Sequence, residues 1–513
     1  MKSESASHIK LGIEVIETRD GFLFECDGHV AGPYSDPYSI EPLELAERLE
    51  VDPETALRAR LKAVEIYVER ELGFEELSEL LGITIIRDDV NKVITFLAML
   101  SAYTEEDQFN VSFRAESSTG KSYIPLELAR LFPPEDVIEI AYSSPTAFWH
   151  DRGEYDQDEG VIRIDLHRKI LIFVDMPHDQ LLERLRPLLS HDRKELTYKI
   201  TDKREKAGLR TKTVIIRGFP AVIFCTGYLK LDEQEATRMI LLSPETSQEK
   251  IREAIYLRAT REANRRAFEE LVEHDPRRKM LRERIKRIKQ ANILDVVIED
   301  PEEIAKRFIE SRKRLKPRHM RDIARLLSII KAFAILNFNH REKLHEGPSG
   351  TIIKASQKDV ENAFKVWSMI AEPQEYGVSP FVYQVFKEII EPLAQKKSIT
   401  DPIRGLTKTE IMQAFLEKYG RPLSRIRLDR DILPSLEAAG LIETQPDPRD
   451  RRRTIIVPTT LPEDTPPFDD TFQSLNSGDV GDDSALYKVK NVSREGGVEL
   501  SPQPDMNGGE GHG

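Results

Sequence analysis

The chain reads Ala115-Glu116-Ser117-Ser118-Thr119-Gly120-Lys121-Ser122 between an apolar, strand-like segment at 110–113 and a helix-like segment at 123–131. A strand, a turn that ends in Gly-Lys-Ser and a helix together form the pattern of a loop that binds nucleotide phosphates. Ala115 stands where that pattern has its first glycine, and the rest of the pattern is intact. The alternative is a chance Gly-Lys-Ser in an ordinary turn, but the flanking strand and helix favour a nucleotide site.

The loop predicts ATP and Mg²⁺ as cofactors, bound by residues 115–122. Backbone N–H groups of such a loop, together with the positive end of its helix, face the phosphate oxygens. Gly120 allows a backbone path that a side chain would hinder. Lys121 is predicted to reach the β- and γ-phosphates, and Ser122 to ligate Mg²⁺.

Residues 90–245 around this loop alternate strand-like and helix-like stretches, which is the pattern of an α/β domain with a parallel sheet. Strands that are covered on both faces are nearly continuous in hydrophobicity, and four short runs fit that description. They are Val111–Phe113, Val137–Ala141, Lys169–Val174 and Ala221–Cys225. We therefore predict a parallel sheet with the phosphate loop at the end of its first strand.

An acidic residue ends the third of these strands. Asp175 follows the run from Lys169 to Val174, so its carboxylate lies at the strand edge where open α/β sheets bind ligands. Asp175 is predicted to orient Mg²⁺, but the next residue is Met176, where a glutamate would polarise the attacking water. Three alternatives stay open: Asp179 is the base, Asp175 has both duties, or hydrolysis is slow. Asp179 is also suited to cap the helix that follows.

Three polar residues at element boundaries are candidates for contact with the γ-phosphate. Thr226 ends the fourth strand, where the alternative role is capping of the strand end. Arg238 precedes another apolar strand, a position from which an arginine can stabilise phosphoryl charge in a neighbouring subunit; the alternative is a surface salt bridge. Arg318 opens a long helix, where a cation opposes the helix dipole and so indicates an anionic partner.

Two alternating segments, Glu195–Thr201 and Thr211–Arg217, predict a β-hairpin just before the fourth strand. Its turn carries four cations, which would contact a DNA backbone if the hairpin pointed into the channel of a ring. They are Lys203, Arg204, Lys206 and Arg210. An ordinary exposed, charged turn is the alternative.

Residues 378–460 predict three helices and then two strands, the order of a winged helix-turn-helix. Candidates for DNA contact lie in the third helix, which would meet the major groove, and in the turn between the strands, which would meet phosphates. They are Arg425, Arg427, Arg430, Arg451, Arg452 and Arg453. Winged helices also dock proteins, and that alternative stays open.

Charge and composition bound the other possibilities. The 513 residues carry a net charge of −13, but residues 461–513 hold 11 acidic and 3 basic residues, so the body is close to neutral. A near-neutral body can present local basic patches. Arginine and lysine crowd the stretch from Arg265 to Lys289, for which a solvated helix face is the ordinary interpretation.

The two cysteines, Cys26 and Cys225, offer no disulfide framework and fit a reducing cytoplasm. No apolar run approaches the length of a membrane span, which is about 18 residues or more. We predict five segments along the chain. They are a small α+β region at 1–85, a nucleotide-binding core at 86–246, a helical lid and connector at 247–375, a winged helix at 376–460 and a disordered acidic tail at 461–513.

The phosphate loop, the Asp175 strand, the basic hairpin, Thr226 and Arg238 together resemble the MCM-related AAA+ helicases of plasmids, phages and integrative elements. The resemblance spans roughly residues 90–345. Two details favour it: Lys206-Ala207-Gly208 resembles the pre-sensor hairpin of MCM proteins, and the stretch from Arg318 to Arg325 resembles their lid helix. Ala115, Met176 and the lack of a zinc-binding N-terminal domain depart from the family pattern.

The resemblance implies an α/β P-loop NTPase core with an AAA+-type sheet, a helical lid and a C-terminal winged helix. It assigns the sensor-1 role to Thr226, the finger role to Arg238 and the sensor-2 role to Arg318. It also implies a homo-oligomeric ring, hexameric, that hydrolyses ATP at subunit interfaces and moves single-stranded or forked DNA in replication.

Three functions compete. The first is a replicative-type DNA helicase; the second is a DNA-bound regulator or initiator without processive unwinding, which Met176 favours. The third is a binding protein that holds ATP as a structural ligand. ATP turnover separates the third from the others, and strand displacement separates the first from the second.

Overall fold

A computed structural model of the chain describes most of the first 459 residues. The described ranges are 12–115, 119–141, 154–156, 161–175, 179–189, 191, 193–202, 210–226, 238–312, 314–400 and 405–459. Within them, no helix combines the length and the apolar character that a membrane crossing needs.

The N-terminal region is an antiparallel three-stranded sheet followed by three helices. Its elements are β1 (Glu14–Thr18), β2 (Gly21–Cys26), β3 (His29–Tyr34), α1 (Pro42–Leu49), α2 (Pro53–Glu69) and α3 (Phe74–Leu81). Phe22 and Phe24 alternate along β2 and are buried, because successive strand residues face opposite sides of a sheet. Asp52 caps α2 by accepting a hydrogen bond from the Thr55 amide at 2.9 Å.

The described residues of the central part of the chain form two sheets and three α-helices. Its elements are α4 (Asp89–Ser101), β4 (Asn110–Arg114), α5 (Tyr123–Ala129), β5 (Val137–Ile140), β6 (Glu154–Asp156), β7 (Val161–Asp165), β8 (Ile170–Phe173), α6 (Asp179–Leu189), β9 (Glu195–Asp202), β10 (Arg210–Arg217), β11 (Ala221–Thr226) and β12 (Met239–Leu242).

The predicted parallel sheet is confirmed. Five strands lie in the order β12-β4-β11-β8-β5, and every neighbouring pair is parallel. All residues of β8, β11 and β12 are buried, as expected for strands that are covered on both faces. The strand that leads to the phosphate loop is therefore separated from the strand that leads to Asp175 by β11 alone.

A second sheet has the strand order β6-β7-β10-β9. Strands β9 and β10 are the two arms of the predicted hairpin, and they pair antiparallel with Thr213 opposite Lys199. Strand β10 also pairs in parallel with β7. The hairpin turn at 203–209, with Lys203, Arg204 and Lys206, lies outside the described residues.

The region after β12 contains helices and a small sheet. Its elements are α7 (Gln248–Ala263), α8 (Arg265–His274), α9 (Pro276–Ala291), β13 (Ile293–Val297), α10 (Pro301–Glu310), α11 (His319–Leu336), β14 (Lys343–Gly347), β15 (Gly350–Lys354) and α12 (Gln357–Tyr376). The sequence predicts helix almost throughout 247–345, and the three-stranded sheet β13-β15-β14 corrects that prediction. Asn292 has a positive φ of 49° and ends α9, and the following Ile-Leu-Asp-Val-Val run is suited to a strand.

The C-terminal part has a hydrophobic cluster of its own. Its elements are α13 (Pro380–Val385), a wide helical turn at Phe386–Ile390, α14 (Glu391–Thr400), α15 (Lys408–Tyr419), α16 (Arg425–Arg427), a second wide turn at Leu428–Ile432, α17 (Leu433–Ala438), β16 (Ile442–Pro446) and β17 (Thr454–Pro458). A capping box begins α15: Thr407 accepts from the Glu410 amide, and Glu410 accepts from the Thr407 amide at 2.7 Å. Three helical segments and an antiparallel strand pair therefore follow in the predicted order.

Candidate nucleotide site

The phosphate loop begins directly after β4 and ends at α5. Gly120 has a φ of +95°, a backbone conformation that side chains rarely adopt. A Cβ atom built on Gly120 would meet no heavy atom within 4 Å, so the backbone conformation and not crowding requires glycine here. The Ile124 amide donates to the Gly120 carbonyl at 3.2 Å, which joins the loop to the first turn of α5. Residues 116–118 lie outside the described residues.

Two charged residues follow neighbouring parts of the sheet at this edge: Lys121 in the loop after β4, and Asp175 after β8. Strand β11 lies between β4 and β8, and burial raises the pKa of Cys225 near its end to about 12. The positive charge of Lys121 lowers that pKa and the negative charge of Asp175 raises it. The fold thus brings the loop lysine and the predicted metal ligand together across about 54 residues of chain.

Thr226 completes the end of β11. It lies opposite Arg114 in the strand register, is fully buried, and its hydroxyl donates to the Phe113 carbonyl at 3.1 Å. This hydrogen bond is what the alternative role of Thr226, capping of the strand end, would require. Met176 lies outside the described residues, and Asp179 is the first residue of α6.

A cleft opens above the phosphate loop, with a volume of about 590 Å³. Volumes of about 300–1,000 Å³ are typical of pockets that bind small molecules and cofactors. Three walls surround it: the loop itself at 119–122, the segment between α3 and α4 at 84–86, and one face of α7. The cleft has apolar surface from Ile86, Ala254 and Leu257 and cations near the loop, so it fits a ligand with a flat apolar part and a phosphate chain.

Helix α7 is held over the loop by a buried polar cluster. The carboxylate of Asp88, which is 1% exposed, pairs with Lys250 in the first turn of α7. The same carboxylate accepts from the Glu245 amide at 2.7 Å, and Lys250 donates to the Glu245 carbonyl at 2.9 Å. Next to it, Arg87 donates to both carboxylate oxygens of Glu253. These contacts fix the angle at which α7 leaves the sheet.

Three arginines on α7 and at the start of α8 line the cleft, and sequence reasoning missed them. Arg261 lies 3.7 Å from Glu127, and Arg265 lies 3.0 Å from Glu269. Arg258 also lines the cleft, and it forms no ion pair with any residue that the structure describes. The only sequence signal is the spacing of three residues between Arg258 and Arg261, which places these two on one face of α7, whereas Arg265 follows the helix break at Asn264.

Arg238 lies at the opposite edge of the sheet from the phosphate loop. It directly precedes β12, whose first residue, Met239, lies opposite Asn110 at the start of β4. The length of β4 therefore separates Arg238 from the loop, about 13 Å at about 3.3 Å per residue. Arg238 cannot reach the nucleotide site of its own subunit.

Arg318 precedes α11 and is largely buried. Its Nε lies 3.5 Å from the Asp322 carboxylate, and its Nη1 is so close to Gly377 that a Cβ there would lie 2.7 Å away. Arg318 is not among the residues that line the cleft. Its predicted sensor role is therefore not supported within one subunit of the described structure.

The predicted DNA-contacting arginines are placed unequally. Arg425 and Arg430 are exposed, as are the three arginines of the turn between β16 and β17, residues 451–453. The structure corrects the prediction that Arg427 contacts DNA. Arg427 is 6% exposed, its guanidinium lies 3.8 Å from the centre of the Phe381 ring, and it lies 3.9 Å from Asp431. A guanidinium packed in this way serves the hydrophobic cluster and cannot contact a DNA groove. Arg210 begins β10, and its side chain lies outside the described part of the structure.

The similarity of this chain to known proteins is found at the level of structure. No protein-family model matches the chain, and no curated protein matches it. Among solved structures, the full-length MCM homolog from Methanopyrus kandleri is similar, with 11% sequence identity and a TM-score of 0.36. The alignment spans 61% of this chain and 61% of that chain, less than two thirds of either. Similarity at this level carries no argument about function, and the five-stranded parallel sheet with its loop is what makes the fold consistent with an α/β nucleotide hydrolase.

Proposed function

We propose that this protein is an ATP hydrolase that acts on DNA, a motor of the AAA+ class with MCM-like helicase activity. One observation carries the ATPase part: the loop with Lys121 follows β4 and Asp175 follows β8, two parallel strands that are separated only by β11. This pairing of a cation and an acid is what a nucleotide triphosphate with Mg²⁺ requires. The DNA part rests on the sequence resemblance and on the exposed arginines of the C-terminal module.

Different residues of the site would bind the phosphates and hold Mg²⁺. Backbone amides around Gly120 and the start of α5 would hold the phosphates, and Lys121 would stabilise the negative charge that grows on them. Ser122 and Asp175 would hold Mg²⁺, which would supply positive charge to offset that of the phosphates. Asp175 is exposed, so its carboxylate is also accessible to a water molecule.

Arg258 is predicted to contribute to nucleotide affinity. Its guanidinium lines the cleft, and a charge-assisted hydrogen bond to phosphate is worth about 1.5–3 kcal/mol, so Arg258→Ala is expected to weaken binding of a fluorescent ATP analogue by about tenfold or more. Arg252→Ala is the matched control, because Arg252 is an exposed arginine of the same helix that does not line the cleft. Equal affinities for the two variants would contradict a role for Arg258.

We propose that the active protein is a homo-oligomeric ring, hexameric, with ATP between subunits. The position of Arg238 is compatible with this arrangement, because an arginine just before β12 lies too far from the loop of its own subunit to contact a nucleotide there. Arginine fingers supplied in this way raise turnover by about 10³–10⁵-fold.

Arg238→Ala and Lys121→Ala are therefore expected to be inactive separately and to complement one another when they are co-expressed. Random mixing leaves roughly a quarter of the subunit interfaces with both residues intact in a closed symmetric ring. Turnover of the purified mixture should exceed that of either variant by a large factor. A mixture no more active than its components would place Arg238 outside the reaction.

The C-terminal module is interpreted as a winged helix that contacts DNA through Arg425, Arg430 and residues 451–453, and the β9–β10 hairpin as a channel contact. Strand displacement on a forked DNA with a fluorophore and a quencher tests helicase activity directly. A DNA-bound regulator is the second candidate, favoured by Met176, because a missing second carboxylate would slow hydrolysis. ATP turnover without strand displacement would favour the regulator.

A further inference from the structure

Helices α2 and α9 enclose a groove far along the chain from the phosphate loop. It has a volume of about 880 Å³ and is lined by six cationic and two acidic side chains, Glu65 and Glu283. The cations are Arg58, Lys62, Lys279, Arg282, Lys286 and Arg287. We call it the α2–α9 groove. Such an excess of one charge on the walls of a concave surface concentrates the potential inside it.

The arginines of the groove already have partners. Arg282 donates to Glu273 at 3.0 Å, Arg287 lies 2.8 Å from Glu69, and Arg58 lies 2.5 Å from Glu54. These pairs fix the walls and leave little free charge.

The lysines of the groove differ from its arginines. The side chains of Lys62, Lys279 and Lys286 form no ion pair or hydrogen bond within the described ranges, although most lysines of those ranges pair with a carboxylate. Lys62 and Lys286 are exposed, and Lys279 lies 5.8 Å from the centre of the Tyr38 ring. Three free ammonium groups that face one groove would repel one another, and an anionic ligand would remove that repulsion.

Tyr38, which also lines the groove, adds no negative charge to it. The hydroxyl of Tyr38 is buried and has no hydrogen-bond partner within the described structure. Burial raises the pKa of Tyr38 to about 12, so the hydroxyl stays neutral and keeps its proton at physiological pH.

The spacing of the lysines fits a linear polyanion better than a single small anion. Lys279 and Lys286 are two turns apart on α9, about 10 Å at about 1.5 Å per residue, and Lys62 faces them from α2. A nucleic-acid strand presents phosphates at regular intervals over this distance. Arg278 and Arg284 of the Arg265–Lys289 stretch are buried, and Arg265 and Arg277 pair with carboxylates, whereas Lys279 and Lys286 of the same stretch line the groove.

We propose that the α2–α9 groove binds the phosphate backbone of DNA, as a third contact surface in addition to the C-terminal module and the hairpin. The identity of the polyanion as DNA rests on the proposed function, whereas the groove and its free lysines are features of the fold. The groove would hold a strand against the outside of the N-terminal region.

The test compares two triple variants of the full chain in binding to a fluorescent 30-base-pair duplex over a range of salt concentrations. The groove variant is Lys62→Ala, Lys279→Ala and Lys286→Ala. The control variant is Lys306→Ala, Lys358→Ala and Lys365→Ala, which removes the same charge from exposed lysines of α10 and α12. Basal ATP turnover is measured for both variants, since none of the six residues lines the nucleotide cleft.

The groove variant is expected to bind the duplex at least about tenfold more weakly than the control. The plot of log affinity against log salt should also lose about 0.9 units of slope per phosphate contact removed. Equal affinity and slope for the two variants would overturn the groove, and the proposed DNA-dependent function would still stand. A wild-type chain that hydrolyses ATP but binds no DNA would overturn both. Competition by poly-glutamate as effective as competition by unlabelled duplex would overturn the assignment to nucleic acid.

Discussion

Lys121→Ala is expected to reduce ATP turnover by at least about a hundredfold, because removing one preorganised donor of transition-state charge typically costs about 10²–10³ in rate. Lys121 lies in the loop after β4, at the sheet edge where β8 and β11 lead to Asp175 and Thr226. Its ammonium group is the cation that the loop offers to the terminal phosphates. Phosphate release from saturating ATP is the measurement.

The substitution should leave the fold intact. Lys121 is only partly buried, and it forms no hydrogen bond or ion pair in the described part of the chain. The melting temperature of Lys121→Ala should therefore match that of the wild type. Lys306→Ala is the control for loss of an exposed lysine elsewhere. Turnover that persists in Lys121→Ala would mean that the loop at 115–122 is not the catalytic site.

Asp359→Ala is expected to destabilise the protein by up to about 3–5 kcal/mol, the cost of removing one partner of a buried ion pair, because the buried Arg341 guanidinium would keep only Glu71, 2.9 Å away, as a carboxylate partner. Asp359 is 0% exposed and Arg341 is 6% exposed. Nε and Nη2 of Arg341 each donate to a different oxygen of that carboxylate at 2.7 Å. Asp359 also accepts from the Ser356 amide at 2.8 Å, so its loss removes part of the cap of α12 as well.

Urea denaturation followed by circular dichroism measures this effect. Glu44→Ala is the comparison, because Glu44 pairs with Arg48 at 2.6 Å but both side chains are about half exposed. Exposed pairs of this kind contribute about 0.3–0.5 kcal/mol on a helix. If Asp359→Ala shifts the midpoint no more than Glu44→Ala does, the Arg341–Asp359 pair is not a principal support of α12.

The sequence carried enough information to place the core of the nucleotide site. Strands β8 and β11 are short apolar runs that the sequence marks almost to the residue, because parallel strands covered on both faces have no polar alternation to obscure them. The Gly-Lys-Ser turn is likewise a local signal, because it shows that β4 has ended before it. Since parallel strands end at a common edge, the meeting of Lys121 and Asp175 follows from the strand order.

The wall of the cleft that α7 provides could not be predicted. The pair that holds α7, Asp88 with Lys250, joins residues 162 positions apart, and nothing local in either segment indicates the other. Arg258 therefore looks in the sequence like any exposed arginine of a charged helix. Its importance depends on where the helix axis points.

The burial of Arg427 could not be predicted for a related reason. Helical periodicity places Arg425, Arg427 and Arg430 on the third helix of the C-terminal module, but which face meets α13 is decided by tertiary packing. The Arg427 guanidinium packs on the Phe381 ring, whereas Arg430 is exposed. The small sheet β13-β15-β14 was missed because its strands pair across about 50 residues and lie between strong helices.

DNA-stimulated ATP turnover of the wild-type chain is the most direct test of a DNA-dependent motor. Phosphate release would be measured with saturating ATP and Mg²⁺, without DNA and then with forked DNA. We expect turnover to rise several-fold when forked DNA is added. Tight ATP binding with no turnover in either condition would contradict it, and would mean that the loss of a carboxylate at Met176 has left a protein that binds ATP without using it.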